Sequence, residues 1–143
     1  NHRMKKLSEI GVTMCAVGLE VIDDEVLEKY NDNVVIFGGG TGHIGCSTDT
    51  CASNKASMIK ADVIIKLTNV DGVYDKDPKK YPDAVKYDTL TFTQVLNDQL
   101  NVMDMTAATM CRDNKLPILV FDMADGNIVK AIKGETIGTL VQE

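Results

Sequence analysis

Hydroxyl and acidic side chains flank a glycine-rich turn whose composition suits anion binding. Gly40, Thr41 and Gly42 follow an apolar run, and Thr48 and Asp49 open a predicted helix that extends to about residue 58. A glycine loop followed by a helix start presents unpaired backbone N–H groups and the positive end of the helix dipole. Because glycine also allows close approach of a ligand to the backbone, the pattern predicts a phosphate site with hydroxyl donors.

Two common phosphate-binding loops can be compared with this turn. A nucleoside-triphosphate P-loop requires a lysine after its last glycine, and none occurs between Asn31 and Asn54. The segment 40–45 does satisfy the dinucleotide pattern G-x-G-x-x-G. That pattern also needs an acidic residue about twenty positions later, but Asp71 comes late and precedes Gly72 in a predicted turn. An NAD-type domain therefore stays open as an alternative.

Composition limits the class of protein. The chain has 143 residues, of which 44% are hydrophobic and 25% charged, which is typical of one globular domain over 1–143. The net charge of −6 argues against a nucleic-acid surface. No apolar run is long enough for a membrane span, and because no apolar h-region follows the polar start, we do not expect secretion. Four cysteines without a C-x-x-C pair predict reduced thiols in the cytoplasm and no metal site.

Hydrophobic periodicity predicts alternating strands and helices. A β-branched run at 63–67 contains Lys66, a charge that must reach a carboxylate, a phosphate or solvent. Parallel strands at 34–37 and 63–67, joined by a helix, form a βαβ unit whose ligands bind at the carboxyl ends of the strands. The remaining pattern predicts a polar surface loop at 79–91 and core methionines. It also predicts helices at 92–96, 104–114 and 127–132 and strands at 118–121 and 138–141.

The order and spacing of several motifs resemble bacterial UMP kinases of the amino-acid-kinase superfamily. These motifs are Gly40-Thr41-Gly42, Ser47-Thr48-Asp49, Lys66-x-Thr68-x-Val70-Asp71-Gly72-Val73-Tyr74-x-x-Asp77-Pro78, Val102-Met103-Asp104, Ala107-Ala108 and Leu116-Pro117-Ile118. The resemblance covers about 33–143, which we expect to be the nucleotide-binding part. We also expect the family's N-terminal half to be absent from this sequence. It implies an α/β fold, a three-layer α/β/α sandwich with a mainly parallel sheet. It further implies phosphoryl transfer from ATP to UMP by a homohexamer in the bacterial cytosol.

The resemblance also assigns roles to residues of this chain. Asp49 matches a catalytic-site aspartate, and Mg²⁺ is expected to arrive with ATP rather than in a protein cage. The implied UMP contacts are Thr41, Gly42, His43 and Thr48, and the implied ATP contacts are Lys66, Thr68, Tyr74 and Asp77.

The loop at 40–47, called here the acceptor loop, departs from the family pattern. Where the family has Asn-Pro and two aromatic residues, this chain has His43, Ile44, Gly45, Cys46 and Ser47. The change removes stacking surface and places a titratable donor at position 43. A non-catalytic nucleotide-binding relative on the same fold is therefore a second alternative.

Overall fold

The computed structural model describes residues 40–143 of the chain. The strand predicted at 34–37 lies outside the described residues. The elements, numbered in chain order, are α1 (Thr48–Met58), β1 (Ile64–Thr68), β2 (Val73–Tyr74), β3 (Lys86–Tyr87), β4 (Thr89–Leu90), α2 (Phe92–Asn97), α3 (Met105–Asp113), β5 (Ile118–Asp122), α4 (Asn127–Ile132) and β6 (Thr139–Val141).

Within residues 40–143, four strands form the main sheet in the order β1-β5-β6-β4. Strand β1 pairs with β5 in parallel, in the register Ile64 to Ile118 through Thr68 to Asp122. Strand β4 also runs parallel to β6, whereas β5 and β6 are antiparallel. The expected α/β class with a mainly parallel sheet is therefore confirmed.

Strand β5 explains why helices cover both faces of this sheet. Ile118 and Val120 belong to one hydrophobic cluster, and Leu119 and Phe121 belong to a second cluster. Successive side chains of a strand point to opposite faces, so an uninterrupted apolar run must be buried on both. The first cluster contains residues of α1, α2 and α3, and the second contains Ala131 of α4. The layers of the sandwich follow from this alternation.

Helix ends agree closely with the sequence pattern. Thr91 and Gln94 form a capping box at the start of α2, each side chain bonding to the other's backbone N–H. Asp104 caps α3 by accepting a hydrogen bond from the Ala107 N–H. Helix α4, Asn127–Ile132, matches the prediction at 127–132.

Two predictions about packing are wrong in part. The segment 79–91 is not only a loop, because β3 pairs with β2 in a small antiparallel sheet and β4 joins the main sheet. These strands have two residues each, too short for periodicity to detect. The methionines are not uniformly core: Met58, Met105 and Met123 are 69%, 64% and 67% exposed, while Met103 packs against the first cluster. Each exposed methionine lies at a helix end or in a loop, where a helical spacing no longer predicts burial.

Helix α1 packs on the sheet side through small residues. Cys51, Ser53 and Ala56 are buried, and the Ser53 hydroxyl donates to the Asp49 carbonyl at 2.9 Å. The Cys111 thiol of α3 in turn donates to the Ser53 hydroxyl at 3.2 Å. Ile59, the C-cap residue that follows the helix, is 36% exposed. Within residues 40–143, no helix combines the length and apolarity that crossing a bilayer requires.

Candidate nucleotide and phosphate site

The acceptor loop before α1 is an exposed turn. Gly40, Gly42 and Gly45 have φ angles of +61°, +72° and +82°, a left-handed conformation that glycine adopts without strain. The Thr41 hydroxyl accepts a hydrogen bond from the His43 N–H at 3.1 Å. The His43 residue itself is exposed, so its imidazole faces solvent at the mouth of the loop.

Ser47 is the N-cap of α1. Its hydroxyl accepts a hydrogen bond from the Thr50 N–H at 3.0 Å, and its backbone is extended. Thr48 is therefore the first helical residue and is exposed, and Asp49 follows it in the first turn. Because Ser47 provides the cap, the hydroxyl of the exposed Thr48 at the helix start is not needed for capping.

Asp49 and Lys66 form an ion pair between α1 and β1. Lys66 Nζ lies 2.6 Å from Asp49 Oδ2, with the two side chains 25% and 28% exposed. On β1, Ile64 belongs to the cluster that α1 covers, so Lys66, two residues later, points to the same face. Of the three partners that the sequence allowed for this lysine, the structure places it on a carboxylate. The pair is half-buried and still reachable by a ligand.

Thr68 ends β1 and closes the following turn. Its hydroxyl donates to the Val70 carbonyl at 2.6 Å and accepts from the Val70 N–H at 3.2 Å. It lies on the same face of β1 as Lys66, at the carboxyl end of the strand. The position suits a ligand contact, although the hydroxyl is occupied by the turn in this structure.

Asp71 holds Tyr74 in place. The Tyr74 hydroxyl donates to Asp71 Oδ1 at 2.7 Å, and Lys86 Nζ lies 2.9 Å from Asp71 Oδ2. These two hydrogen bonds, that from Tyr74 first, hold the pKa of Asp71 below its ordinary value. The same hydrogen bond to the carboxylate raises the pKa of Tyr74, with desolvation adding to it. Tyr74 is therefore a neutral, oriented ring beside an ionised carboxylate.

Asp77 makes its contacts within its own loop. Asp77 Oδ1 accepts from the Lys79 N–H at 3.0 Å, and Lys80 Nζ lies 3.6 Å from Asp77 Oδ2. The carboxylate is exposed. An ion pair thus connects Asp49 with Lys66, whereas Tyr74 and Asp77 are each held by neighbours in the hairpin region.

Sequence reasoning assigned no role at the site to Asp104, which connects two helix starts. Its carboxylate accepts from the Ala107 N–H at 2.9 Å, from the Thr50 hydroxyl at 3.3 Å and from the Ser47 hydroxyl. Burial alone would raise the pKa of Asp104, but the hydrogen bonds from Ser47, Ala107 and Thr50 outweigh burial and lower it. Hydrophobic spacing predicted a helix that begins at 104, but no sequence signal indicated the contact of Asp104 with α1.

The three described cysteines occupy different surroundings. Cys46 is exposed in the acceptor loop, whereas Cys51 and Cys111 are buried. Burial raises the pKa of the Cys111 thiol, which keeps it protonated at neutral pH. Among the residues from 40 onward, no group of three histidine, cysteine or acidic side chains is arranged to hold a metal ion.

The family assignment follows from the sequence match. The model of the amino acid kinase family matches residues 7–122 of this chain. The chain belongs to the amino acid kinase family.

Solved structures of UMP kinases share the fold of this amino acid kinase family member. The enzyme from Bacillus anthracis is 35% identical with a TM-score of 0.74, over 76% of this chain and 46% of that one. The enzyme from Ureaplasma parvum is 37% identical with a TM-score of 0.73, over 84% and 51%. Uridylate kinase from Archaeoglobus fulgidus is 41% identical with a TM-score of 0.65, over 82% and 55%. The chain spans about half the length of the solved structures it matches.

Proposed function

We propose that the protein containing this chain transfers the γ-phosphoryl group of ATP to UMP, giving ADP and UDP. The observation that carries the proposal is the Asp49–Lys66 ion pair, which holds an ammonium group beside the helix start that follows the glycine loop. Similarity to three UMP kinases supports the choice of acceptor.

The two substrates are assigned to opposite sides of this pair. The UMP phosphate is assigned to the glycine loop and the first turn of α1, where Thr41, Gly42, His43 and Thr48 supply N–H, hydroxyl and imidazole donors. ATP is assigned to the end of β1 and the β2–β3 hairpin. There Lys66 faces its phosphates, Thr68 and Asp77 offer groups to the ribose or base, and Tyr74 offers a ring beside adenine.

The chemistry needs alignment and charge neutralisation more than a base. Phosphoryl transfer passes through a loose transition state in which charge spreads over the equatorial oxygens. The Lys66 ammonium stabilises that charge, and Asp49 acts on the reaction by fixing the position of this ammonium. Backbone N–H groups at the start of α1 orient the attacking UMP phosphate. Mg²⁺ arriving with ATP would supply further neutralisation of the phosphate charge.

The assignment of UMP as acceptor can be tested with a panel of phosphoryl acceptors. The complete protein is incubated with MgATP and, separately, UMP, CMP, glutamate, carbamate or isopentenyl phosphate, and ADP release is followed. We expect release with UMP at least tenfold faster than with the other acceptors. Fast release with a non-nucleotide acceptor would overturn the UMP assignment while leaving the kinase assignment standing.

The alternatives predict different binding results. A non-catalytic relative would bind ATP tightly and release no ADP when UMP is added. An NAD-type domain would quench or enhance NADH fluorescence on titration. The NAD-type alternative is disfavoured because Asp71, its candidate ribose ligand, is already bonded to Tyr74 and Lys86.

The assembly and the compartment are also proposals. The resemblance to bacterial UMP kinases implies a homohexamer in the cytoplasm. Light scattering on the complete protein tests the assembly, because a hexamer and a monomer differ sixfold in mass.

A further inference from the structure

Thr139 connects the small sheet to the main sheet through one buried hydroxyl. It lies on β6 and is 0% exposed. Its hydroxyl accepts a hydrogen bond from the Val73 N–H of β2 at 2.8 Å and donates one to the Tyr87 carbonyl of β3. Because Val73 and Tyr87 are directly paired in the hairpin, this single group contacts both strands at one register position.

Close packing at two glycines near Thr139 constrains the position of its hydroxyl. A Cβ at Gly138, where φ is +64°, would lie 2.0 Å from the Val120 carbonyl oxygen, so β6 runs tightly against β5. A Cβ at Gly72 would lie 2.7 Å from the Thr139 hydroxyl and 2.7 Å from Lys86 Cε. A glycine on each side therefore allows the hairpin and β6 to approach closely enough for the hydrogen bonds to form.

The hairpin held in this way carries a residue assigned to ATP. Val73 is buried at 4% exposure, and Tyr74, the next residue, points away from the core towards Asp71. Fixing the Val73 backbone therefore fixes the direction of the Tyr74 ring. We infer that Thr139 is a positioning residue that holds the β2–β3 hairpin against the main sheet and thereby places Tyr74 against the nucleotide. This inference rests on the proposed function, since Thr139 itself does not touch ATP.

A purely structural threonine would behave differently. Removing its hydroxyl would leave a buried N–H and a buried carbonyl unpaired and would lower the stability of the whole domain. ATP and UMP binding would then change together or not at all. A positioning role predicts a selective loss of ATP affinity, together with opening of the hairpin at residues 73–74 and 86–87.

The test compares Thr139→Val, which keeps the shape and removes the hydroxyl, with Thr139→Ser, which keeps the hydroxyl. The control is Val141→Ala, a substitution on the same strand at a residue with 0% exposure. Calorimetry on the complete protein measures the Kd for ATP and UMP, and amide hydrogen exchange measures hairpin opening. We expect Thr139→Val to raise the ATP Kd about fivefold or more and the UMP Kd less than twofold. Thr139→Ser should restore ATP binding.

Gly72→Ala provides a second variant if Thr139→Val does not fold. Its new methyl group pushes the hairpin away while the Thr139 hydroxyl remains, and the same selective loss of ATP affinity is expected. The inference is overturned if hairpin amides exchange no faster in Thr139→Val than in Val141→Ala, or if ATP affinity falls equally in both. Failure of the wild type to bind ATP would instead overturn the proposed function. Hydrogen exchange would then still test whether Thr139 holds the hairpin in place.

Discussion

Lys66 Nζ lies 2.6 Å from Asp49 Oδ2, and this contact joins the middle of β1 to the first turn of α1. The two residues are separated by 17 positions along the chain. The pair places a cation and an anion where a glycine loop ends and a helix begins. The proposed chemistry depends on this placement, because the ammonium must meet a transferring phosphoryl group without being free to move.

Substitution of either partner should impair turnover more than stability. We expect Asp49→Asn and Lys66→Met each to lower kcat by about 100-fold or more, the usual effect of losing one transition-state charge contact. Because both side chains are about a quarter exposed, the free energy of unfolding should change by less than about 1 kcal/mol. Arg112→Met, which breaks the Arg112–Asp113 pair at 3.1 Å, is the control. Comparable loss of kcat in this control would contradict the assignment.

Removing the Asp104 carboxylate should destabilise the domain, because this group links the starts of α1 and α3. Asp104→Ala deletes the cap of α3 and the acceptor for two hydroxyls, so we expect a loss of about 1–2 kcal/mol in the free energy of unfolding. Asp104→Asn should lose less, because its amide oxygen can still cap the helix. Urea denaturation at pH 7 measures both, with Asp98→Asn at an exposed carboxylate as the control.

The same residue predicts a dependence of stability on pH. The pKa of Asp104 is lower in the folded chain than in the unfolded one. Its stabilisation is therefore fully present above the unfolded value of about 3.9 and is lost as pH falls through the lower folded value. The stability difference between wild type and Asp104→Asn should shrink over that acidic range. A difference that stays constant down to pH 3 would be evidence against the hydrogen-bonded carboxylate.

Tyr74 should ionise at higher pH than an ordinary tyrosine. Its hydroxyl donates to the Asp71 carboxylate, and this bond stabilises the neutral phenol. Absorbance titration of wild type minus Tyr74→Phe isolates the phenol of this residue. In Asp71→Asn the pKa should fall towards the ordinary value of about 10. Identical titration curves with and without the Asp71 charge would refute the assigned hydrogen bond.

Gly138→Ala should be among the more damaging single-methyl changes in the described part of the chain. The added Cβ would meet the Val120 carbonyl oxygen at 2.0 Å, in a backbone conformation that L-residues rarely adopt. We expect a loss of at least about 2 kcal/mol, measured by thermal or urea unfolding. Gly126→Ala is the matched control, since its φ is +81° but nothing lies within 4 Å of the new methyl. Equal losses in the two variants would mean that strain, and not the clash, dominates.

Local signals in the sequence were sufficient for several elements. The helical spacing of apolar residues predicted a helix at 104–114, which is α3, and the β-branched run at 63–67 predicted β1. The apolar run at 118–121 predicted a buried strand, because only a strand covered on both faces tolerates an unbroken apolar run. Each of these features is determined within about ten consecutive residues.

Contacts between distant segments could not be predicted from the sequence pattern. Lys66 had three allowed partners, and only the packing of α1 on β1 selects Asp49. The role of Thr139 depends on a hairpin more than 50 residues earlier in the chain. Ser47 and Thr48 both offer a hydroxyl at the start of α1, and only the structure shows that Ser47 is the cap, because adjacent hydroxyl residues are equally good caps by sequence. The roles assigned to Thr41, His43, Thr68 and the other site residues stay predictions.

The measurement that tests the account most directly is the rate of UDP formation by the complete protein with MgATP and UMP, with nucleotides separated by ion-exchange chromatography. The account predicts UDP and ADP in equal amounts, no ADP release without UMP, and a loss of about 100-fold or more in Asp49→Asn. Tight ATP binding with no UDP formed, or full activity in Asp49→Asn, would contradict it.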